Sequence, residues 1–239
     1  MQRPLVYLKK ARFLLDLLFP SSCPVCEKSS DDHSTSPLCS SCWHKIQRHN
    51  GEGCKICASV TDYDSTAVCQ ECRSIKPVFD RVIAYGIYDG VLKETIHLMK
   101  FRQLKRLARV LGQELSSIDV PVADSIIPVP LSVNGLRKRE FNQSAIMAKE
   151  LSKKTGIPLY LNGLRKVKET LPQSSLSKAE RIRNVKGAYA SNGNIQGKRT
   201  ILVDDVVTTA ATVNECAKVL KKAGASSVTV VTAARAKNS

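Results

Sequence analysis

Eight of the nine cysteines stand in four CxxC pairs, Cys23/Cys26, Cys39/Cys42, Cys54/Cys57 and Cys69/Cys72, with spacers of 12, 11 and 11 residues. A CxxC turn brings two thiolates onto one ion, and tetrahedral Zn²⁺ takes two such turns. The alternative, a disulfide framework, belongs to exported chains. Here the apolar stretch FLLDLLFP at 13–20 is interrupted by Asp16, follows Lys9, Lys10 and Arg12, and has no small-residue cleavage signal. It therefore reads as an amphipathic helix over 1–20 rather than a signal peptide or membrane span, and the chain as cytoplasmic. Two structural zinc sites follow. Near-equal spacers permit sequential or interleaved grouping; sequential ribbons over 21–76 are the expectation. Four thiolates per ion leave no open position for catalysis. His33, His44 and His49 read as surface residues, and Cys216 as a small core residue on a helical stripe with Val213, Ala217 and Leu220.

The formal net charge is +16, yet residues 21–76 hold six Lys/Arg against seven Asp/Glu, or −1, so the remainder holds +17. That excess suits a polyanion: a phosphorylated small molecule or nucleic acid. It predicts nothing about fold.

From Pro77 onward, over 77–239, β-branched strands alternate with helical stretches. RVIAYGIY at 81–88 reads as a strand, Val91–Gly112 as a basic helical stretch with Leu104, Leu107, Ala108 and Leu111 on its apolar stripe, and SIIPVP at 125–130 as a buried strand. FNQSAIMAKELSKKTG at 141–156 is a helix with a glycine stop; TILVD at 200–204 is a strand, 210–223 a helix and SSVTVVTAA at 226–234 a strand. The expected fold is α/β, a parallel sheet with helical crossovers, preceded by the small Cys₄ double-ribbon module.

Ligands of such sheets bind beyond the carboxyl ends of the strands, where TILVDDVVTTAAT places Asp204 and Asp205 side by side. Adjacent carboxylates at a strand tip must be solvated or paired. The backbone N–H groups of the turn and the following helix N-terminus make an anion site, with hydroxyls from Thr208, Thr209 and Thr212. Phosphate on the threonines and polyol hydroxyls or hydrated Mg²⁺ on the aspartates together describe a phosphorylated sugar.

VDDVVTTAAT resembles the 5-phosphoribosyl-1-pyrophosphate (PRPP) loop of type I phosphoribosyltransferases. The resemblance implies Asp204 and Asp205 for ribose and Mg²⁺, and Val206, Val207, Thr208, Thr209, Ala210, Ala211 and Thr212 for the 5′-phosphate. IPVPLSVNGLRKREFNQS at 127–144 and LPQSSLSKAERIRNVKGAY at 171–189 are similar to signatures of the ComF/GntX-type branch, which joins a cysteine-rich module to a phosphoribosyltransferase domain. That branch implies phosphoribosyl transfer from PRPP, a link to competence and DNA uptake, and single-stranded DNA and DNA-uptake proteins as partners. Alternatives are a PRPP sensor without turnover and a DNA-binding accessory protein. Arg137, Lys138 and Arg139 are expected to neutralise pyrophosphate from a loop, and Lys168–Lys186 to form a lid that brings Arg181 to PRPP. The chain departs from the family in having Ala210 and Glu140 where glycine is usual; the methyl is expected to hinder phosphate and the carboxylate to repel pyrophosphate.

Overall fold

The computed structural model describes residues 22–32, 34–60, 68–171, 177–193 and 195–237, so the helix expected over 1–20, His33 and part of the expected lid lie outside the described residues. Two compact units, Met1–Ile46 and Gln47–Ser239, divide the chain. In the first, the helix α1 (Ser40–His44) starts directly after Cys39, and Leu38, Trp43 and Ile46 are buried with the cysteines. The second holds the remaining cysteine pairs together with the sheet. The second cysteine group packs on the sheet: Val82 N–H donates to the Ile56 carbonyl at 2.7 Å, and Cys54, Cys57 and Cys72 share a core with Phe79, Val82 and Val228.

The principal sheet has strands β1 (Arg81–Ile87), β2 (Ser125–Pro128), β5 (Arg199–Val207) and β6 (Ser227–Arg235), ordered β1-β6-β5-β2 and parallel throughout. The two central strands are buried along nearly their whole length, as strands covered on both faces should be. Leu202, Val228 and Val230 cluster with Val213, Cys216, Ala217 and Leu220 of one helix, α8 (Ala211–Lys222). Alternation sends the equally buried Ile201, Val203, Val231 and Ala233 to the other face. Cys216 is fully buried, the core position its spacing predicts.

The basic stretch at 91–112 is two helices rather than one, α3 (Gly90–Phe101) and α4 (Lys105–Leu115), broken where Gln103 takes φ 55°. One continuous helix carrying the Leu92, Ile96, Met99 stripe onward would turn Gln103 and Arg106 to the core. The break resets the phase and buries Leu107, Ala108 and Leu111 instead. Between β2 and β5 lie α5 (Val133–Arg139), α6 (Gln143–Thr155), the antiparallel pair β3 (Leu164–Lys166) and β4 (Tyr189–Ser191), and α7 (Lys178–Val185). Asn142 caps α6 by accepting from Ala145 N–H, and Gly156 ends it at φ 73°, the expected stop.

Helices α4 and α6 cross at Gly112, where an added Cβ would lie 2.8 Å from Met147 Cα and 3.0 Å from Glu150 Cβ. Since backbone cannot yield there cheaply, Gly112→Ala should lower unfolding free energy by roughly 1–3 kcal/mol, read as a lower urea midpoint at unchanged slope.

Candidate phosphate and metal sites

The eight thiols gather as Cys23, Cys26, Cys39, Cys42 and as Cys54, Cys57, Cys69, Cys72, the sequential grouping. Cys26 and Cys39 sulfurs are 3.6 Å apart and Cys57 and Cys69 sulfurs 3.7 Å. A tetrahedron of Zn–S bonds has edges of about 3.8 Å, so both clusters fit zinc as they stand. His44 is exposed as expected. His49 is not purely a surface residue: half-buried, its Nε2 donates to the Ala58 carbonyl at 2.7 Å, bracing the second knuckle.

Strand β5 runs through Val207, so Val206 and Val207, expected in the phosphate loop, complete the strand; the turn begins at Thr208. The extra length also separates the adjacent carboxylates, because successive residues of a strand face opposite ways. Asp205 points to α3 and pairs with Lys100, Oδ1 to Nζ 2.7 Å, both side chains largely buried. Asp204 points the other way, its Oδ1 accepting from Ser144 Oγ at 3.1 Å and from Asp205 N–H at 2.9 Å. Among the described residues these donors both fall on Oδ1, leaving Oδ2 for a sugar hydroxyl or hydrated cation. Burial, then the Asp205 charge, push the Asp204 carboxyl up to about 7, with Lys100 opposing.

Past the strand, Thr208 Oγ1 accepts from Arg181 Nη1 at 3.3 Å, and Ala210 takes φ 56°, ψ 7° as the residue before α8. Glu140 likewise sits at φ 63°, closing α5. Both are left-handed positions, where a Cβ crowds the following carbonyl and glycine is favoured. Thr212 hydrogen-bonds the buried phenol of Tyr189, whose pKa burial drives well up.

Arg137, Lys138 and Arg139 form the last turn of a helix, α5, rather than a loop, because Ser132 caps it by accepting from Gly135 N–H. Lys138's carbonyl accepts from Gln103 Nε2, and Asn134 N–H donates to Glu169 of the lid segment. Arg137 and Lys138 are exposed, Arg139 half-buried. The segment after β3 is not without regular structure: Ser177 and Glu180 form a capping box that starts α7, whose Arg181 reaches the Thr208 turn. Its arms are clasped by reciprocal Leu171–Asn184 bonds of 3.0 Å, and Gly187 N–H donates to Glu215 on α8.

Four side chains at this edge were not anticipated as site residues: Ser144, Lys166, Tyr189 and Arg235. Lys166 bonds Thr170 Oγ1 at 2.7 Å, and burial lowers its pKa with the Arg139 charge adding. Arg235, 2% exposed, ends β6. A cation closing an apolar strand is the same signal that the aspartates carry, lost because the strand was expected to stop at 234.

Residues 14–73 match the double zinc ribbon domain family and residues 142–239 the phosphoribosyl transferase domain family. The chain is 31% identical over 210 residues to competence protein F of Haemophilus influenzae, covering 83% of this chain and 90% of that one. It is 32% identical over 201 residues to DNA utilization protein YhgH of Salmonella typhi, covering 81% and 88%. To competence protein ComFC of Bacillus subtilis it is 28% identical over 209 residues, covering 83% and 84%.

The raised Asp204 pKa has a definite consequence for stability. Unfolded, the carboxyl titrates near its ordinary value; folded, near 7, so the native state holds the extra proton between them and stability falls as pH rises through that window. In Mg²⁺-free buffer, Asp204→Asn should therefore match the parent at pH 4 and exceed it by roughly 1–3 kcal/mol at pH 8, measured by urea unfolding at both.

Proposed function

The chain belongs to the family of competence protein F, and from that membership we infer that its phosphoribosyl transferase domain binds PRPP with Mg²⁺ and transfers the phosphoribosyl group to an amine or base in the service of DNA utilization. The observation that carries this reading is the end of β5, where Asp204 is followed by the last three strand residues and then the Thr208–Thr212 loop, which Arg181 reaches from α7. Opening of the C1–pyrophosphate bond passes through an oxocarbenium-like state. The protein therefore has to orient the sugar, stabilise the departing polyanion and keep water out.

Asp204 Oδ2 is assigned to the ribose hydroxyls. Thr208, Thr209 and Thr212, with the amides opening α8, are assigned to the 5′-phosphate. Arg137, Lys138 and Arg139 of α5's last turn, together with Lys166, are the cations assigned to pyrophosphate. Asp205, engaged by Lys100, holds that helix against the strand and supplies negative potential from behind. Mg²⁺ would be held by Asp204 together with PRPP oxygens and would neutralise charge on the leaving group. The nucleophile bonds to C1 as the C1–O bond breaks, and the electron pair leaves with pyrophosphate. Arg181 closes the segment after β3 over the sugar.

Calorimetry with PRPP·Mg²⁺ tests the assignment. Asp204→Ala and Thr212→Val should each weaken binding by about tenfold or more. Ala210→Gly should strengthen it by about two- to tenfold, since the amide can then approach phosphate without the left-handed strain. Unchanged affinity in all three would remove the site.

A second reading, single-stranded DNA binding, is favoured by Phe101. That ring is 68% exposed, held edge-on by His97 at 5.6 Å, and flanked by Arg102 and Lys105, with α5's basic turn brought alongside through Gln103. An exposed ring among cations is a stacking platform for unpaired bases. Affinity for an oligothymidine should fall steeply with salt, and Phe101→Ala should cost roughly 1–3 kcal/mol at fixed salt. A flat salt response would dismiss this reading.

A further inference from the structure

A buried guanidinium must be met by acceptors on every edge, since an uncompensated charge in the interior is too costly to keep. Arg235 is met on one side by the second cysteine cluster: Nε donates to the Cys57 carbonyl at 2.6 Å, and Nη2 lies 3.6 Å from Cys57 Sγ. On the other side Nη1 donates to the carbonyls of Val207 at 3.1 Å, Thr208 at 2.5 Å and Ala236 at 3.0 Å. Val207 is the last residue of β5 and Thr208 the first of the turn. One planar fork therefore spans a metal-binding knuckle and the start of the phosphate loop. No single-nitrogen cation could do this, because the bonds leave in fixed and divergent directions.

The same turn is also met by Tyr189 at Thr212. Its Ala210 sits in a strained left-handed conformation, α8 begins without a side-chain cap, and Arg181 touches Thr208 only from a separate segment. A non-glycine residue at φ 56° persists only where its surroundings over-determine it. The Thr208 carbonyl, two residues upstream, is fixed by Arg235, and Arg235 is fixed in turn by Cys57.

We propose that Arg235 is a positioning residue coupling the second cysteine cluster to the Thr208–Thr212 loop, so that metal held by Cys54, Cys57, Cys69 and Cys72 orders the phosphate site and an occupied phosphate site retains the metal. This rests on the reading of Thr208–Thr212 as the PRPP loop. Coupling of binding free energies is reciprocal, so the effect is measurable from the metal side without any turnover. The first cluster lies in the other compact unit and serves as an internal control.

The test uses the full chain loaded with two Zn²⁺. Extraction by a chromogenic chelator is followed with and without PRPP·Mg²⁺, while alkylation and mass spectrometry identify which cysteines are released. PRPP·Mg²⁺ should slow release from Cys54, Cys57, Cys69 and Cys72 by about fivefold or more and leave Cys23, Cys26, Cys39 and Cys42 unchanged. Arg235→Lys, which keeps the charge and loses the fork, should abolish the protection. If that variant does not fold, the parent measurement decides alone. PRPP binding seen by calorimetry with equal release from both clusters overturns the coupling and spares the PRPP assignment; absence of any PRPP heat overturns both.

Discussion

Charge at the carboxyl edge of two central strands governs this fold. Near their carboxyl ends β5 carries Asp204 and Asp205 and β6 carries Arg235, three ionisable groups in a sheet whose central positions are buried and mostly apolar. Each demands a partner, and each partner recruits a different element. Asp205 draws in α3 through Lys100, Asp204 draws in the start of α6 through Ser144, and Arg235 draws in the cysteine knuckle through Cys57. Removing one member of such a pair would leave the other buried and unmet, at a cost of about 3–5 kcal/mol where burial is complete. The elements gathered at this sheet edge are those that satisfy its charges.

This explains why the second cysteine cluster belongs with the sheet and not with the first cluster. Sequence spacing treats the four CxxC pairs as a uniform module, because each pair makes the same turn. What differs is the outer surface. The second knuckle offers the Ile56 and Cys57 carbonyls to β1 and to Arg235, and its cysteines pack with Phe79 and Val228.

Much of the site was legible because it follows local rules. The cysteine grouping, the parallel sheet, the glycine stop at 156 and the buried Cys216 each rest on spacing or periodicity. The aspartate pair stands out in the sequence through the difficulty of two like charges together, while their separation by strand alternation depends on the full length of β5. The short α5, the antiparallel β3–β4 pair and α7 were missed because three- to eight-residue elements carry too few apolar positions to display a period. The break at Gln103 was hidden by the absence of glycine or proline; only the phase of buried residues on either side records it. Arg235 and Lys166 acquire meaning from partners more than a hundred residues away or across a sheet, which no window on the sequence contains.

Ala210 and Glu140 show how the two departures from glycine can persist. Each holds a left-handed backbone that costs an ordinary residue about 1–2 kcal/mol relative to the right-handed one. Against this, a side chain narrows the unfolded ensemble and recovers about 0.4–1 kcal/mol that glycine would forfeit. The net penalty is small beside the hydrogen bonds that fix the flanking residues: Thr208 by Arg235 and Arg181, Glu140 by its own N–H to the Leu136 carbonyl. Stability therefore exerts little pressure at either position. On the PRPP reading, what each residue alters is the approach of an anion: a methyl at 210 crowds the turn, and a carboxylate at 140 adds negative charge beside α5's basic turn.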